Sequence, residues 1–440
     1  MLNVQDNELV TSCGAGTPMG DVMRQYWVPA LLSSELPEPD GDPVRVLLLG
    51  ERLIAFRNSA GEVGLVQNSC PHRGASLFFG QVQDGCLRCI YHGWQFDTSG
   101  RVVEMPNEPA ESDFKDRLPA FGYRCVEAGG VVWTYMGPRD TPPPMPHLEP
   151  LDYEVEKMVV RPSMFDCNWL QALEGDMDTV HASFLHTGHG VSGDAPEGSF
   201  LEYAIRDRPI KYKVIDTAGG VLSGAYRPAG DNGDTYWRIA SFAFPFYTYF
   251  PTGVLGAVKR VAASVPMDDT HVMRFVFTVS HERDRLDPNQ RVGLHPDTTP
   301  AIPNTTDWYG RWRRTKHLGN DFEIDRQLQK SGDSYTGITG FNMEDKAMVE
   351  GMGPIPDRSG EHLGSTDAMI VRVRRRLLDA ARALREDGTI PPGVDDPEVY
   401  FQRSGGIVLP TDVDWLEGTE DRRQAGIERP ELDPLQAAGI

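Results

Sequence analysis

Two cysteines and two histidines near residue 80 have the types and spacing of metal ligands. Cys70-Pro71-His72 is separated by sixteen residues from Cys89-Ile90-Tyr91-His92, giving Cys-x-His followed by Cys-x-x-His. A disulfide between Cys70 and Cys89 would leave both histidines unexplained. A structural zinc site would use the same four side chains, but zinc-binding loops usually separate their ligands by two to four residues. One intervening residue therefore makes Cys70 and His72 poor ligands for a single tetrahedral ion.

The spacing suits two metal ions better than one. Each loop can send its cysteine to one iron and its histidine to the other, as in a Rieske [2Fe–2S] cluster, where two histidines replace two thiolates. Pro71, Gly74 and Gly93 suit tight loops whose backbone N–H groups point at sulfur. Trp94 is expected to pack over the cluster, and Cys86 is interpreted as a free thiol. The sequence therefore predicts a one-electron carrier.

A second set of candidate iron ligands lies between Asp178 and His186. Asp178 and His181 are three positions apart and would share one face of a helix. His181 and His186 are five positions apart, so a regular helix cannot aim both at one ion. Either the helix ends between them or a π-type turn is inserted. Two histidines and one carboxylate on one face of Fe(II) leave positions open for O₂.

The spacing does not decide which residue is the second histidine ligand or which is the carboxylate ligand. His189 is an alternative to His186, although we interpret it as a hydrogen-bonding or surface residue. A lone aspartate most often caps a helix or lies on the surface. The carboxylate ligand has five candidates, which are Glu174, Asp176, Asp178, Glu344 and Asp345.

An aromatic, strand-like segment from Trp237 to Phe250 is a candidate wall for a small-molecule cavity. Core packing explains part of these aromatics, and alternation lets the others face an apolar cavity. Arg238 among them is a candidate carboxylate anchor, because a buried guanidinium needs a partner and binds carboxylates bidentately. Phe242 and Phe244 are the predicted apolar contacts of the substrate.

These residues need two kinds of scaffold. Short β-rich runs between Gly, Asn and Asp turns fill residues 44–135, which predicts a small all-β unit around the Cys/His loops. The proline-rich stretch 137–150 is interpreted as its exit linker. Further on, residues 168–186 look helical, while 201–250 and 258–279 look like antiparallel strands.

A strong amphipathic helix is predicted from Ser365 to Gly388. The domain division is an N-terminal helix and lead-in over residues 1–40, a Rieske domain with its exit linker over 41–150, and a mononuclear iron domain over 151–440. The fold class is therefore α+β.

Composition limits the partners and the location. The chain has 440 residues and a formal net charge of −21, which argues against nucleic acid or an anionic membrane as an electrostatic partner. The arginines of the predicted helix, Arg372, Arg374, Arg375 and Arg376, are therefore interpreted as a solvated or interface face. The first ten residues lack a secretory pattern, and the apolar window 239–258 is broken by prolines and glycines. A cytoplasmic location is expected. No dinucleotide or flavin motif is found, so electrons must come from another protein.

Taken together, these motifs resemble the oxygenase component of the Rieske non-haem iron aromatic oxygenases. Glu344-Asp345-Lys346-Ala347, then Gly353-Pro354-Ile355 and Asp357-Arg358, is similar to the phthalate dioxygenase-like branch. The resemblance covers nearly the whole chain. It implies that Asp345 is the carboxylate ligand of the mononuclear iron.

The resemblance gives Asp178 a different role. It implies that Asp178 accepts hydrogen bonds from His181 and from His92 of the partner subunit, and so bridges the two metal centres for electron transfer. It further implies a Rieske β domain inserted near the N-terminus of a helix-grip catalytic domain. The subunits would form a head-to-tail homotrimer or hexamer.

The implied cofactors are a Rieske [2Fe–2S] cluster and one non-haem Fe(II). The implied activity is cis-dihydroxylation of an aromatic, carboxylated substrate with O₂, using NAD(P)H electrons from a separate reductase, with or without a ferredoxin. O- or N-demethylation by the same ligands is the alternative. Two alternatives of other classes are an electron-transfer protein with a non-catalytic ligand-binding domain and a zinc-stabilised interaction module.

Phthalate-type relatives use paired arginines for a dicarboxylate. Near the expected first position this chain has Pro209-Ile210, with Arg206 and Arg208 just upstream. This departure favours a monocarboxylate or a less charged aromatic substrate over phthalate.

Overall fold

The computed structural model describes residues 2–109, 111, 114–188, 200–230, 233–279 and 299–426. The described helices are α1 Val4–Thr11, α2 Pro18–Met23, α3 Trp169–Met177, α4 Phe200–Arg206, α5 Arg326–Ser331, α6 Phe341–Gly351, α7 Ala368–Asp387 and α8 Trp415–Arg423. The described strands are β1 Trp27–Leu32, β2 Val44–Leu48, β3 Glu51–Arg57, β4 Val63–Gln67, β5 Gln81–Gln83, β6 Cys86–Arg88, β7 Gln95–Phe96, β8 Val102–Glu104, β9 Gly122–Ala128, β10 Val131–Tyr135, β11 Met158–Phe165, β12 Lys211–Thr217, β13 Gly220–Pro228, β14 Thr235–Ala243, β15 Tyr247–Tyr249, β16 Arg260–Pro266, β17 Val272–Val279 and β18 Gly405–Leu409.

The strands form three antiparallel sheets. A six-stranded sheet has the order β1-β10-β9-β4-β3-β2, and a four-stranded sheet has the order β5-β6-β7-β8. The third sheet runs β11-β17-β16-β15-β14-β13-β12, and β18 pairs with β14. One Cys/His loop lies between β4 and β5 and the other between β6 and β7. The α+β prediction, with a small β domain followed by helices on an antiparallel sheet, is confirmed.

Strand β1 shows how the N-terminal segment joins the β domain. It lies before residue 41, where the predicted Rieske domain begins, yet it pairs with β10. Pro29 cannot donate a hydrogen bond and the register shifts between Pro29 and Leu31, which suits a strand at the edge of its sheet. The division at residues 40 and 150 stays a prediction.

Helices cover the large sheet. Helix α3 packs on β15, β16 and β17, and α7 packs on β12 and β13. Helices α1 and α2 pack against α7. Among the described residues, no helix has both the length and the apolar composition needed to cross a bilayer.

Two predicted elements differ from the structure. The helix predicted over residues 168–186 ends at Met177, and the strands predicted from residue 201 begin only at Lys211, after helix α4. In α4, Glu202 and Arg206 form an ion pair one turn apart, and Tyr203 stacks on Tyr236 of β14. The i, i+4 pairing therefore supports a helix where the sequence had predicted strands.

The arginine face predicted on α7 is only partly solvated. Arg375 is 72% exposed, as expected. The side chain of Arg374 is only 4% exposed and pairs with Glu174 and Glu361. The prediction is wrong for Arg374 because the buried Glu174 and the partly buried Glu361 compensate its charge inside the protein.

Candidate active site

Helix α3 stops just before the first of the two histidines. The side chain of Asn168 caps its start by accepting a hydrogen bond from the N–H of Leu170 at 3.1 Å. At the other end Asp178 leaves the helical conformation, with φ −73° and ψ 112°, and its Oδ1 accepts a hydrogen bond from the N–H of Val180 at 2.8 Å. A 3₁₀ turn over His181–Ser183 follows. Neither His181 nor His186 lies in an α-helix, so helical spacing does not prevent them from facing one ion.

Asp345 reaches the same place from α6. This helix begins after Gly340, whose φ of 106° suits glycine, and it packs against α3. Oδ1 of Asp345 lies 3.0 Å from Nε2 of His186 and 3.4 Å from Nε2 of His181. The ligand atoms of the three side chains all lie within 4.8 Å of one another. Among the described residues, no other group of three His, Cys, Asp or Glu side chains approaches this closely.

The donor atoms of these three residues suit a ferrous ion. Nε2 of His186 is buried, lies 3.0 Å from Asp345 and, within the described part of the chain, has no hydrogen-bond partner. In the neutral imidazole, with the proton on Nδ1, this nitrogen would offer its lone pair to a metal ion. Two imidazoles and one carboxylate are the ligands of the two-histidine, one-carboxylate iron sites. His189, the alternative second histidine, lies outside the described residues.

A second carboxylate lies behind each imidazole. Nδ1 of His181 lies 3.5 Å from Oδ2 of Asp178, and Nδ1 of His186 lies 2.9 Å from Oε2 of Glu344. Burial works against ionisation of Asp178, but hydrogen bonds from His181 and from the backbone of Val180 lower its pKa. Burial also disfavours the charged form of His186, yet the carboxylates of Asp345 and Glu344, which lie against its two nitrogens, raise its pKa to about 9. A cation entering the site would therefore displace a proton.

The other candidate carboxylates are engaged elsewhere. Glu174 pairs with Arg358 and Arg374 inside the protein. Asp176 accepts two hydrogen bonds from Arg274, at 2.7 and 3.0 Å. Neither carboxylate joins the two histidines.

The two Cys/His loops have the same backbone conformation. The N–H of Gly74 donates to the carbonyl of Cys70 at 2.8 Å, and the N–H of Gly93 donates to the carbonyl of Cys89 at 2.9 Å. Both glycines have positive φ, 74° and 81°, which other residues rarely adopt. The N–H of each cysteine also donates to the carbonyl five residues on, at 2.8 Å in both loops. The loops therefore present Cys70 and Cys89 alike despite their different cysteine–histidine spacing.

The four predicted cluster ligands face each other. Cys70 and Cys89 are buried free thiols, and the rings of His72 and His92 are 4.4 Å apart. Nδ1 of His72 is buried and has no hydrogen-bond partner among the described residues, which leaves it available to a metal. Trp94 stacks on His72 at 4.9 Å, as expected for a residue that packs over the cluster. Two thiols and two imidazoles fit a Rieske cluster.

Comparison with known proteins identifies the family. The Rieske [2Fe–2S] domain model matches residues 26–122, and the model described as LigXa C-terminal domain like matches residues 134–434. The chain is 44% identical over 432 residues to the 3-chlorobenzoate-3,4-dioxygenase oxygenase subunit of Comamonas testosteroni, covering 96% of this chain and 99% of that protein. The chain belongs to the Rieske non-haem iron oxygenases.

Other comparisons agree with this assignment. The oxygenase is 34% identical to the phthalate 4,5-dioxygenase oxygenase subunit of Pseudomonas putida, covering 95% of this chain and 94% of that protein. The solved structure of dicamba monooxygenase bound to 3,6-dichlorosalicylic acid shares its fold, with a TM-score of 0.57 and 19% identity, covering 83% of this chain and 99% of that chain. The protein is thus an oxidoreductase that incorporates O₂. Its cofactors are the Rieske [2Fe–2S] cluster and a mononuclear non-haem iron.

The three predicted substrate residues of the oxygenase are all buried, with Arg238 and Phe242 in β14 and Phe244 just after it. Arg238 is buried and stacks on Phe200 of α4, with its guanidinium carbon 3.5 Å from the ring centre. Phe242 and Phe244 have no exposed surface and contact each other edge to face at 5.3 Å. Phe244 is also near Arg376 of α7. The two phenylalanines thus belong to the large core, and their contact with substrate stays a prediction.

The position of Glu344 was not predicted from the sequence. Glu344 was a candidate iron ligand, whereas in the structure its carboxylate lies against Nδ1 of His186. Phe341 and Thr336, which contact His186 and Glu344, were not singled out. The available signal was the spacing of Phe341, Glu344 and Asp345, which puts all three on one face of a helix.

Proposed function

We propose that the oxygenase cis-dihydroxylates a carboxylated aromatic substrate with O₂. It receives NAD(P)H electrons through a separate reductase, with or without a ferredoxin, and works as a homotrimer or hexamer in the cytoplasm. The proposal of a carboxylated substrate depends on one observation: the guanidinium of Arg238 is buried and, among the described residues, has no anionic partner.

Arg238 uses only part of its hydrogen-bonding capacity inside the protein. Its Nη2 donates to the carbonyl of Pro251 at 2.9 Å. Its Nε and Nη1 are buried and have no hydrogen-bond partner in the described part of the chain. Burial lowers the pKa of Arg238 to about 10, so it remains a cation at neutral pH. A buried cation with unused donors is costly, and a substrate carboxylate would compensate it.

The side chains next to Arg238 on the sheet are consistent with a ligand site. Tyr212 pairs with Ala225, and Ala225 pairs with Arg238, so the three side chains form a row across β12, β13 and β14 on one face of the sheet. The small side chain of Ala225 separates two large polar ones. The hydroxyl of Tyr212 is buried and also has no hydrogen-bond partner among the described residues. The charge of Asp178 acts on both Tyr212 and Arg238, which places this row near the candidate iron ligands.

The names of two relatives support an aromatic carboxylate. The oxygenase subunits from Comamonas testosteroni and Pseudomonas putida are named for 3-chlorobenzoate and phthalate. Both names denote aromatic carboxylates. Pro209-Ile210, near the position where phthalate-type relatives have the first of their paired arginines, favours the monocarboxylate.

Two sets of side chains are the proposed metal ligands. His181, His186 and Asp345 would hold the mononuclear iron, and Cys70, His72, Cys89 and His92 would hold the cluster. When bound, the two centres supply one-electron transfer and O₂ activation. Asp178, in contact with His181, would accept a hydrogen bond from His92 of the partner subunit and so join the centres of neighbouring chains. Arg238 would orient the substrate by its carboxylate.

The test is a product analysis with the purified oxygenase and a generic reductase. Benzoate, 3-chlorobenzoate, phthalate and methoxybenzoates are supplied with ¹⁸O₂. We expect a cis-dihydrodiol that contains both labelled oxygen atoms, from a protein with three irons per chain. Two irons per chain, or consumption of neutral aromatics alone, would refute the proposal.

A demethylase is the second candidate. The 5,5'-dehydrodivanillate O-demethylase oxygenase subunit of Sphingobium sp. (strain NBRC 103272 / SYK-6) is 28% identical over 93% of this chain and 87% of that protein. The same assay distinguishes the two reactions, because demethylation of a methoxybenzoate releases formaldehyde and leaves no dihydrodiol.

A further inference from the structure

One face of α6 contacts His186 from three sides. Phe341, Glu344 and Asp345 are spaced i, i+3 and i+4, so their side chains share this face. The ring of Phe341 stacks on the imidazole with 3.5 Å between ring centres. Oε2 of Glu344 lies 2.9 Å from Nδ1, and Oδ1 of Asp345 lies 3.0 Å from Nε2. The imidazole is therefore fixed in its plane and at both nitrogens by one helix.

Glu344 is itself held in place. The hydroxyl of Thr336 donates to Oε1 of Glu344 at 2.6 Å and accepts a hydrogen bond from the N–H of Ile338 at 3.1 Å. Thr336 is buried and the Glu344 side chain is 15% exposed. Because Thr336 binds one carboxylate oxygen and His186 the other, the carboxylate cannot rotate without losing a hydrogen bond.

The two histidines are held unequally. The side chain of His186 is 1% exposed and its Nδ1 is 2.9 Å from Glu344. The side chain of His181 is 27% exposed and its Nδ1 is 3.5 Å from Asp178. If Asp178 also serves a partner subunit, as proposed above, then only His186 has a carboxylate of its own. Nε2 of His186 is thus held more rigidly than Nε2 of His181.

We propose that Glu344 is a positioning residue for the mononuclear iron site. By accepting the Nδ1–H of His186, it selects the tautomer whose Nε2 lone pair faces Asp345, and its negative charge makes that nitrogen a stronger donor. Thr336 keeps Glu344 in the orientation that this requires. This inference rests on the iron site assigned under the proposed function. It goes beyond the three ligands by naming the residue that determines how strongly His186 would bind the iron.

The test compares variants by how firmly they keep the mononuclear iron. Glu344→Gln keeps the size of the side chain and removes its charge, Glu344→Ala removes the acceptor, and Thr336→Val frees the carboxylate. Glu398→Gln is the matched control, because Glu398 pairs at 3.0 Å with Nδ1 of another histidine, His147, outside the iron site. Each purified protein is exposed to a ferrous chelator, and the remaining iron is measured over time beside the visible spectrum of the cluster.

We expect Glu344→Gln and Glu344→Ala to lose the third iron about 10–100-fold faster than the parent, the range typical of partners behind a ligating histidine. Thr336→Val should change in the same direction by less. The cluster spectrum should be unchanged in every variant, which shows that the chain is folded. The electron paramagnetic resonance spectrum of the nitric oxide adduct reports the geometry of the iron. Compared with the spectrum of the parent, that of Glu344→Gln should be broader and that of Glu398→Gln should be the same.

Failure of this inference and failure of the iron site give different results. His186→Ala must abolish the third iron; if it does not, the iron site itself is wrong. If His186→Ala abolishes it while both Glu344 variants keep their iron as long as the parent does and give its spectrum, then Glu344 has no positioning role. If a Glu344 variant also loses the cluster, the residue serves folding, and the inference is overturned.

Discussion

Asp178 ends helix α3 and faces His181, with its Oδ2 3.5 Å from Nδ1 of the imidazole. Its other oxygen accepts a hydrogen bond from the N–H of Val180, so one side chain both terminates the helix and orients a candidate ligand. The Asp178 side chain is 31% exposed, so the proposed hydrogen bond from a partner subunit could reach it. This combination distinguishes Asp178 from the carboxylates that point into the core.

Replacing Asp178 is expected to slow electron transfer without removing either metal. Asp178→Asn keeps the size of the side chain and loses the charge that binds His181, so cluster oxidation in a single turnover with substrate and O₂ should slow by about 10–100-fold. Stopped-flow absorbance of the cluster measures this rate. A variant with full metal content and the parent rate would refute the bridging role.

Arg238 is expected to govern binding of the substrate carboxylate. Losing a charge-assisted hydrogen bond costs about 1.5–3 kcal/mol, so Arg238→Gln should raise KM for 3-chlorobenzoate by about 10–100-fold. The effect on kcat should be smaller. Steady-state kinetics with 3-chlorobenzoate and with its amide, which carries no charge, separates the roles, because the amide should be bound equally by parent and variant. Equal loss with both compounds would contradict the assignment.

The cluster motif and the second motif differ in how far sequence alone predicts them. The ligand loops are local: each is a few residues long and folds around its own glycine, so the spacing around Cys70 and Cys89 was enough to predict them as cluster ligands. Asp345 lies far along the chain from His186, and no spacing rule connects them. Its assignment needed the family resemblance, and the role of Glu344 needed the packing of α6 against α3.

Long-range pairing also explains the elements that sequence did not predict. Strand β1 was missed because its partner β10 begins at Val131, about a hundred residues later. The burial of Arg374 depends on Glu174 and Glu361, which lie on other elements. Local patterns identify an arginine-rich helix, but only the assembled fold shows which arginine meets a buried carboxylate.

The paired glycines of the cluster loops should tolerate substitution unequally. Both have positive φ, which costs a residue with a Cβ about 1–2 kcal/mol. A Cβ at Gly93 would also lie 2.6 Å from Cγ of Pro106, whereas a Cβ at Gly74 meets no atom within 4 Å. We therefore expect Gly93→Ala to lose more cluster than Gly74→Ala, measured as cluster absorbance per protein. Equal losses would show that Pro106 moves freely.

The buried group around Glu174 should be important for stability. Glu174 accepts from Arg358 at 3.2 Å and from Arg374 at 2.6 Å, and both arginines are buried. Glu174→Gln removes the charge that compensates both, so the free energy of unfolding should fall by about 3–5 kcal/mol. Denaturant unfolding measures this. The control is Glu361→Gln, which leaves Arg374 paired with Glu174 and should cost less; an equal cost would contradict the central place of Glu174.

His147 should make stability depend on pH. Its Nδ1 lies 3.0 Å from Glu398 and its Nε2 lies 3.0 Å from Asp152. Partial burial lowers the pKa of His147, but hydrogen bonds and charge from Asp152 and Glu398 raise it overall. The folded protein therefore holds this proton more tightly than the unfolded chain does. The stabilisation is complete below the ordinary pKa of about 6.5 and is lost as pH rises through the folded value.

Denaturant unfolding of the parent and of His147→Gln, from about pH 6 to about pH 9, tests the direction of this pH dependence of stability. At the lower pH the parent should be more stable, by less than about 1 kcal/mol because the three side chains are partly exposed. The difference should shrink as pH rises, since the neutral imidazole loses its attraction to both carboxylates. A difference that grew with pH would mean that His147 is held in its neutral form, and the ion pairs assigned to it would be wrong.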